Sequence, residues 1–245
     1  MIAWFGDPSH WQGSAGIPAR LLEHGVICLW SMALAITIAL PLGVWLGHVR
    51  RLGMTVTSVG NLGRAIPTFA LLILLASWEP IGVSDLAAII ALAVFAIPPI
   101  LTNSYVGIRE VDARATDAAR GMGMTGRQVL QQVELPLSVP VIAAGVRTAT
   151  VQVVATATLA ALVGGGGLGR FVVDGFGRQD PTLMFAGVLL IAITCIAVEG
   201  AAAALQRVIT PRALRPPTPS LLPRHRPAPS VLWKTTAALD TPPPR

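Results

Sequence analysis

The sequence has little charge. Only 12% of its 245 residues are Asp, Glu, Lys or Arg, whereas 53% are hydrophobic. A soluble domain carries about 25% charged residues, so this composition excludes an ordinary soluble domain and indicates a polytopic membrane protein. The formal net charge of +6 does not by itself indicate a nucleic-acid partner, because basic residues beside membrane spans are explained by orientation. We therefore expect this chain to lie in a lipid bilayer and to bind no nucleic acid.

Residues that carry chemistry are equally sparse. Cys28 and Cys195 lie within apolar runs without metal-ligand neighbours, so we expect free, buried thiols. The four histidines are scattered and do not cluster as metal ligands. No Ser-His-Asp or Cys-His arrangement and no phosphate-binding Gly-x-x-x-x-Gly-Lys occurs. We predict that the chain is not an enzyme, binds no metal or cofactor and does not hydrolyse ATP itself.

Long apolar runs predict the architecture. A membrane-crossing helix needs about 20 mainly apolar residues, because the hydrocarbon core is about 30 Å thick. Prolines inside such runs are tolerated where neighbouring helices satisfy the freed backbone groups, so we expect a kinked bundle. The fold class is therefore an all-α polytopic membrane helix bundle with about five spans. We place the spans near residues 25–47, 54–78, 86–108, 137–163 and 181–205.

The distribution of basic residues predicts the orientation. Most of the 18 Lys and Arg residues fall on the side of the segment 109–136, whereas Arg20, Arg170 and Arg178 fall on the other side. Basic residues are enriched in cytoplasmic loops. We therefore expect a multi-pass protein of the plasma membrane, with the N-terminus outside and the C-terminus in the cytoplasm.

Two flanking segments complete the predicted domain organisation. Residues 1–24 are expected to form an extracytoplasmic N-terminal segment before a transmembrane domain at 25–206. Residues 207–245 are basic and rich in proline, with no periodic apolar face. This composition is typical of a disordered cytoplasmic tail. Either the tail has no required role, or its basic residues are attracted to anionic lipid heads.

The most informative stretch is the polar segment 109–136. Its alanines favour a first short helix, and Gly121 and Gly123 are expected to end that helix. Thr125 is suited to cap a second helix. Pro136 lacks a backbone N–H and disfavours helical angles at Leu135, so we expect the chain to change direction there before the fourth span.

The spacing within this segment is that of a known family. An acid and two alanines are followed by three residues, a glycine, nine residues, an aliphatic residue, one residue and Leu-Pro, here running from Asp117 to Pro136. The segment resembles the cytoplasmic coupling loop of ATP-binding-cassette (ABC) importer permeases, with Asp for the usual Glu and Val for the usual Ile. Residues 65–72 resemble the family's early pore helix, and residues 144–150 follow the segment as in relatives. Residues 156–164 and the glycines after them most resemble the osmoprotectant branch, which imports glycine betaine, choline and carnitine. The resemblance covers roughly residues 25–205.

The resemblance implies a type I ABC importer fold and a set of partners. These are ATPase subunits that use ATP and dock on the coupling loop, a second permease subunit, identical or paralogous, and an extracytoplasmic solute-binding protein. The residues that it implies for coupling to the ATPase are Asp117, Ala118, Ala119, Gly123, Val133, Leu135 and Pro136.

A second group of residues is expected near the gate or pathway: Pro67, Arg147, Gly164, Gly165, Gly166, Gly167 and Gly169. The glycines contain a formal Gly-x-Gly-x-x-Gly, but they follow a membrane span rather than a β-strand, so a dinucleotide site is not expected. They form either a flexible outer loop or a hinge. Arg147 is an intramembrane charge that has a role near the gate or snorkels to the surface. Glu199 is a candidate partner for an arginine.

Two alternatives remain open at this point. The first keeps the family but changes the solute, for instance to methionine. The second is a secondary transporter, which would need an intramembrane ion site or an inverted repeat. The sequence shows no sign of an intramembrane ion site or of an inverted repeat.

Overall fold

The computed structural model describes residues 2–50, 53, 56, 58, 60 and 65–211, which contain helices and no strand. The expected all-α class is confirmed. The α-helices are α1 (Ile2–Gly6), α2 (Ile17–Val49), α3 (Thr68–Ala76), α4 (Asp85–Arg109), α5 (Ala113–Gly121), α6 (Gly126–Val129), α7 (Leu135–Thr156), α8 (Gly169–Gly177) and α9 (Pro181–Ile209). Pro8–Trp11 and Ala157–Val163 are 3₁₀-helical, and Leu130–Glu134 is π-helical.

Four helical runs in the described residues are long and apolar enough to cross a membrane: Ile17–Val49, Asp85–Arg109, Gly126–Val163 and Pro181–Ile209. Each coincides with a predicted span and extends beyond it. The 33 residues of α2 correspond to about 50 Å of helix, which exceeds the hydrocarbon thickness of about 30 Å. The ends of such a helix therefore reach the headgroup region and water.

The remaining predicted span, 54–78, lies partly outside the described residues. Within them, Ile66 and Pro67 are not helical, and α3 begins directly after Pro67, whose ψ of 105° is extended. Pro67 therefore starts a helix and does not lie inside one. Proline fits the start of a helix because its missing N–H has no intrahelical partner there. The predicted tail also lies outside the described residues from 212 onwards.

Helix α4 lies between α2 and α7 and forms the centre of the bundle. The face of α2 that packs on it carries small residues at every fourth position, namely Ser31, Ala35, Ala39, Gly43 and Gly47, and all are buried. In lipid the hydrophobic effect does not drive helices together, so close packing through small residues becomes the main attraction. The four-residue period keeps this stripe on one side of the helix.

Glycines mark the closest approaches to α4. A Cβ at Gly43 of α2 would lie 2.6 Å from Ser104 Cβ and 2.7 Å from the Leu101 carbonyl oxygen. A Cβ at Gly145 of α7 would lie 2.4 Å from Asn103 Cβ. No side chain fits at these points unless a helix moves. The backbone of α4 is thus held closely on both sides.

We expect Gly43→Ala to lower the stability of the protein by about 1–3 kcal/mol, because the added methyl group overpacks the α2–α4 contact. Gly25→Ala is the matched control on the same helix, since nothing lies within 4 Å of its Cβ position. Thermal unfolding of the purified variants in detergent measures the difference. Equal melting temperatures for the two variants would contradict the packing described here.

Candidate functional site

The coupling segment, residues 109–136, contains two short helices with a turn between them, as predicted. Asp112 caps α5 by accepting a hydrogen bond of 2.9 Å from the Arg114 backbone N–H. Thr125 caps α6 in a reciprocal arrangement with Gln128. The Thr125 backbone N–H donates to Gln128 Oε1 at 2.8 Å, and the Gln128 backbone N–H donates to Thr125 Oγ1 at 3.4 Å. The predicted cap at Thr125 is confirmed, and it fixes where α6 begins.

The turn between the two helices depends on Gly123. Its φ of +86° lies in the left-handed region, and its backbone N–H donates to the Arg120 carbonyl at 2.9 Å. Gly121 still belongs to α5 and has an ordinary φ. Glycine is favoured where φ is positive because it has no Cβ to clash with the backbone. Of the two predicted helix-breaking glycines, Gly123 makes the turn.

The coupling segment presents a polar, exposed ridge to solvent. The Asp117 side chain is 72% exposed, and Met122 at the end of α5 is 76% exposed. Ala119 points the other way and is 2% exposed, and Thr116 and Val129 are fully buried. Among the other predicted coupling residues, Ala118, Gly123 and Pro136 are exposed, and Val133 and Leu135 are half-buried. The ridge is therefore accessible, and its inner face anchors it to the bundle.

The expected change of direction at Leu135–Pro136 is wrong. Leu135 has helical angles (φ −60°, ψ −52°), and the chain runs as one helical stretch from Gly126 to Val163. A π-helical turn precedes the proline, and in it the Leu135 N–H donates to the Leu130 carbonyl. Proline clashes with the carbonyl four residues earlier in a regular α-helix. The wider π turn provides an alternative geometry at this point, so the coupling segment continues into the membrane helix without a break.

A contact between a histidine and a buried glutamate, which the sequence reasoning missed, ties this π turn to α2. Glu134 is 1% exposed, and its Oε2 lies 2.5 Å from His48 Nδ1 at the end of α2. A Cβ at Gly126 would lie 3.6 Å from His48 Nε2, so the imidazole sits against the start of α6 as well. Both residues are visible in the sequence, but they are separated by 86 positions, and no local pattern pairs them.

The glycine loop, residues 164–169, is held by carboxylates from two other helices. The Gly166 backbone N–H donates to Asp85 Oδ1 at 3.1 Å, and the Gly167 backbone N–H donates to Glu23 Oε2 at 2.9 Å. Asp85 is the first residue of α4, and Glu23 lies in the second turn of α2. Hydrogen bonds to an ionised acceptor are stronger than neutral ones. The loop therefore joins α2 to α4 through its backbone.

Arg170, the second residue of α8, completes this arrangement. Its Nε donates to the Gly165 carbonyl and its Nη2 to the Gly164 carbonyl, both at 2.9 Å. Arg20 Nη1 donates to Glu23 Oε2 at 2.8 Å. Gly164 and Gly167 have positive φ values of 82° and 92°. The glycines supply the backbone angles, and the charged side chains hold the resulting conformation.

His24 is the buried side chain behind the glycine loop. It is 2% exposed, and its Nε2 lies 3.0 Å from the Val154 carbonyl of α7, to which it donates. A Cβ at Gly167 would lie 3.1 Å from His24 Nδ1. The ring thus fills the space between α2, α7 and the loop. Sequence reasoning treated His24 as one of several scattered histidines, because its contacts come from residues far along the chain.

Arg147 of α7 pairs with α9. Its Nε donates to Glu199 Oε1 at 2.9 Å, Nη2 contacts the same oxygen, and Nη1 donates to Gln206 Oε1 at 3.2 Å. Gln206 Nε2 in turn donates to the Pro140 carbonyl at 3.2 Å. Glu199 is thus the arginine's partner, as the sequence suggested. Both residues lie far from the ends of their helices, α7 and α9.

The structure does not bring the predicted coupling residues and the glycine loop together. The coupling segment follows the last residue of α4, whereas the glycine loop contacts its first residue, Asp85. The 25 residues of α4 separate them by about 37 Å. In the described part of the chain, no group of three or more His, Cys, Asp or Glu side chains could hold a metal ion.

Comparisons with known proteins agree with this geometry. The model of a family described as the binding-protein-dependent transport system inner membrane component matches residues 39–214. The chain is 38% identical to a carnitine transport permease protein of Listeria monocytogenes, over 88% of this chain and 95% of that protein. It is 36% identical to a glycine betaine/carnitine/choline transport system permease protein of Bacillus subtilis (strain 168), over 79% of this chain and 88% of that protein.

A solved structure shows a similar fold. One chain of the MetNI methionine ABC transporter in an inward-facing conformation aligns with a TM-score of 0.70 at 25% sequence identity. The alignment covers 84% of this chain and 99% of that chain.

We expect His48→Leu to destabilise the protein by about 1–3 kcal/mol, because it leaves the buried Glu134 side chain without its hydrogen-bond partner. The double variant His48→Leu/Glu134→Leu should regain most of this loss, since it removes both polar groups. Asp117→Ala is the control. It breaks the exposed pair with Arg120, and we expect a change of only about 0–1 kcal/mol. Thermal unfolding in detergent tests the series, and a double variant no more stable than the single one would contradict the buried pair.

Proposed function

Because the chain belongs to the family of binding-protein-dependent transport system inner membrane components, we propose that it is the permease subunit of an ATP-driven importer of quaternary amines such as glycine betaine, carnitine and choline. The names of its relatives support this solute class. The observation that carries the proposal is the exposed coupling segment, which joins a membrane helix on each side without catalytic groups of its own.

The coupling segment is suited to receive mechanical work from an ATPase subunit. Its exposed ridge around Asp117 and Met122 offers a docking surface, and its buried residues fix that ridge to the bundle. It continues from α4 through a short connection and into α7 through the π turn. A displacement of the ridge is therefore transmitted to two membrane helices. ATP binds to the partner, and this chain binds no cofactor.

The proposed assembly contains two permease subunits, identical or paralogous, two ATPase subunits and an extracytoplasmic binding protein. The permease's N-terminus lies outside and its C-terminus lies in the cytoplasm. The basic residues Arg109, Arg114, Arg120 and Arg127 around the coupling segment support this orientation, because the cytoplasmic side of a membrane protein carries the excess of Lys and Arg.

The glycine loop, which includes Gly169, is proposed as a gate element on the outer side, together with the α3 start at Pro67. Its backbone is held by Glu23 of α2 and Asp85 of α4. Release of the loop would break these hydrogen bonds, and glycine absorbs the resulting backbone change at little cost.

Uptake by the complete transporter in proteoliposomes tests the function. We expect uptake of labelled glycine betaine that requires ATP and the binding protein and that carnitine and choline inhibit by competition. Inhibition by methionine and not by the quaternary amines would assign a different solute. Uptake that continues without ATP would contradict an ABC importer.

We expect Gly123→Ala to uncouple ATP hydrolysis from uptake while the protein still inserts normally. The methyl group disfavours the positive φ of the turn by about 1–2 kcal/mol, which changes the angle between α5 and α6. Gly121→Ala is the matched control, because its φ is ordinary and its Cβ position is equally open. The ratio of ATP hydrolysed to solute imported is the measurement. Equal ratios for both variants would count against the role of the turn.

A further inference from the structure

A groove with several polar side chains opens between α7 and α9, both of which belong to helical runs long and apolar enough to cross a membrane. Its volume is about 440 Å³, within the range of about 300–1,000 Å³ that small-molecule sites occupy. Its polar lining residues are Arg147, Thr148, Gln152, Glu199 and Gln206. Polar groups at membrane depth are costly and are retained mainly where they serve a pathway or a site. The polar side chains of this groove are therefore candidates for a pathway or a binding site.

The ion pair in this groove is accessible. The side chains of Arg147 and Glu199 are 37% and 40% exposed, in contrast to the buried Glu134. Here the two charged groups line open space.

The hydrogen bonds leave part of each charged group available. Both contacts from Arg147 to Glu199 end on Oε1, so Oε2 is open to a second cation. Arg147 Nη1 is held by Gln206, which is itself anchored to the Pro140 carbonyl. The guanidinium is therefore kept in position even when its carboxylate partner changes.

An exchangeable ion pair matches one class of solute. A zwitterion with a carboxylate and a quaternary ammonium carries the same two charges as the pair. It can insert with its carboxylate on the guanidinium and its ammonium on the Glu199 carboxylate. The net charge at membrane depth stays zero throughout, so no isolated charge is exposed to a medium of low dielectric constant. A simple cation can pair with Glu199 but has no carboxylate for Arg147.

We propose that the groove at Arg147 and Glu199 is a transient binding site for zwitterionic quaternary amines during their passage through the permease. Arg147 receives the solute's carboxylate, and Glu199 receives its ammonium group. This inference rests on the proposed function and adds a specificity site within the membrane to it.

Initial uptake rates of labelled glycine betaine, a zwitterion, and choline, a cation, test the proposal in the complete transporter with its binding protein saturated. We expect Arg147→Gln to slow glycine betaine uptake about tenfold or more, because one of two charge contacts is lost. Choline uptake should fall far less. Glu199→Gln should slow both solutes. The control is Arg207→Gln, which changes an exposed arginine of α9 and should leave both uptake rates near those of the wild type.

The double variant Arg147→Met/Glu199→Met separates binding from a structural tie. It replaces the pair by apolar side chains that suit the membrane, so a merely structural role would be preserved and both solutes would be imported at the wild-type rate. We expect glycine betaine uptake to stay impaired. Full recovery in this variant, or an equal loss of both solutes in Arg147→Gln, would overturn the inference while leaving the importer function intact.

Direct occupancy is measured with Thr148→Cys, which places a thiol in the groove, in a Cys195→Ser background. Excess glycine betaine should protect this thiol from a membrane-impermeant thiol reagent, and the protection should disappear when Arg147→Gln is added. Labelling that glycine betaine does not slow would overturn the site. A wild-type complex that imports neither solute would overturn the proposed function and, with it, this inference.

Discussion

The close approach of α2 and α7 to α4 is the contact on which the rest of the structure depends. In a bilayer the hydrophobic effect does not hold helices together, so packing between small side chains supplies the attraction. Gly43 and Gly145 bring the backbones so close that an added Cβ would meet Ser104 or Asn103 within 2.6 Å. This three-helix unit carries the coupling segment at one end of α4 and the glycine loop at the other.

Charged groups in this chain are placed according to what surrounds them. The buried Glu134 has His48 at 2.5 Å, and the carboxylates of Glu23 and Asp85 accept backbone N–H groups of the glycine loop. The contact with His48 satisfies a Glu134 side chain that would otherwise be costly to bury, whereas Glu23 is partly exposed and Asp85 is exposed. Arg147 and Glu199 differ, because their pair remains open to the groove. Position and partners therefore separate these charges: Glu134, Glu23 and Asp85 hold other parts of the fold, whereas the Arg147–Glu199 pair lines a groove.

Local patterns in the sequence predicted the local structure well. Apolar run lengths located the membrane helices, and the Thr125–Gln128 spacing located the start of α6, because both depend on residues close together in the chain. The membrane charge Arg147 was also recognised, together with Glu199 as a candidate partner. The Pro136 prediction was wrong because steric rules for an α-helix do not include the π turn at Leu130–Glu134. The choice between an α turn and a π turn depends on the tertiary contacts around the segment.

Contacts between distant residues could not be predicted in the same way. The hydrogen bond from Gly167 to Glu23 spans 144 positions, and the His24 contact with Val154 spans 130. Glycines alone were compatible with a flexible loop or a hinge, since glycine permits many backbone angles. Only the packing of α2, α4 and α7 shows that charged side chains surround these glycines and fix one of those conformations.

The positions of these contacts indicate which helices move together. At one end of α4, the coupling segment is tied to α2 through Glu134 and His48. At the other end, Glu23 of α2 and Asp85 of α4 hold the same loop. Helices joined at both ends and packed through small residues in between resist sliding, because a shift would break both polar contacts and open the packed interface. We infer that α2 and α4 follow the coupling segment as one body.

The contact between α7 and α9 is built differently. At the Arg147–Glu199 pair these helices border an open, mainly apolar cavity of about 490 Å³, lined by residues such as Ile142, Val146 and Leu205 and by Arg147 itself. A loosely packed interface forfeits dispersion contacts, so less free energy opposes a change in the separation of these two helices than opposes sliding of α2 along α4. Motion that begins at the coupling segment is therefore expected to be absorbed where the open ion pair lies. A solute site at that point would be reshaped by the same displacement that drives transport.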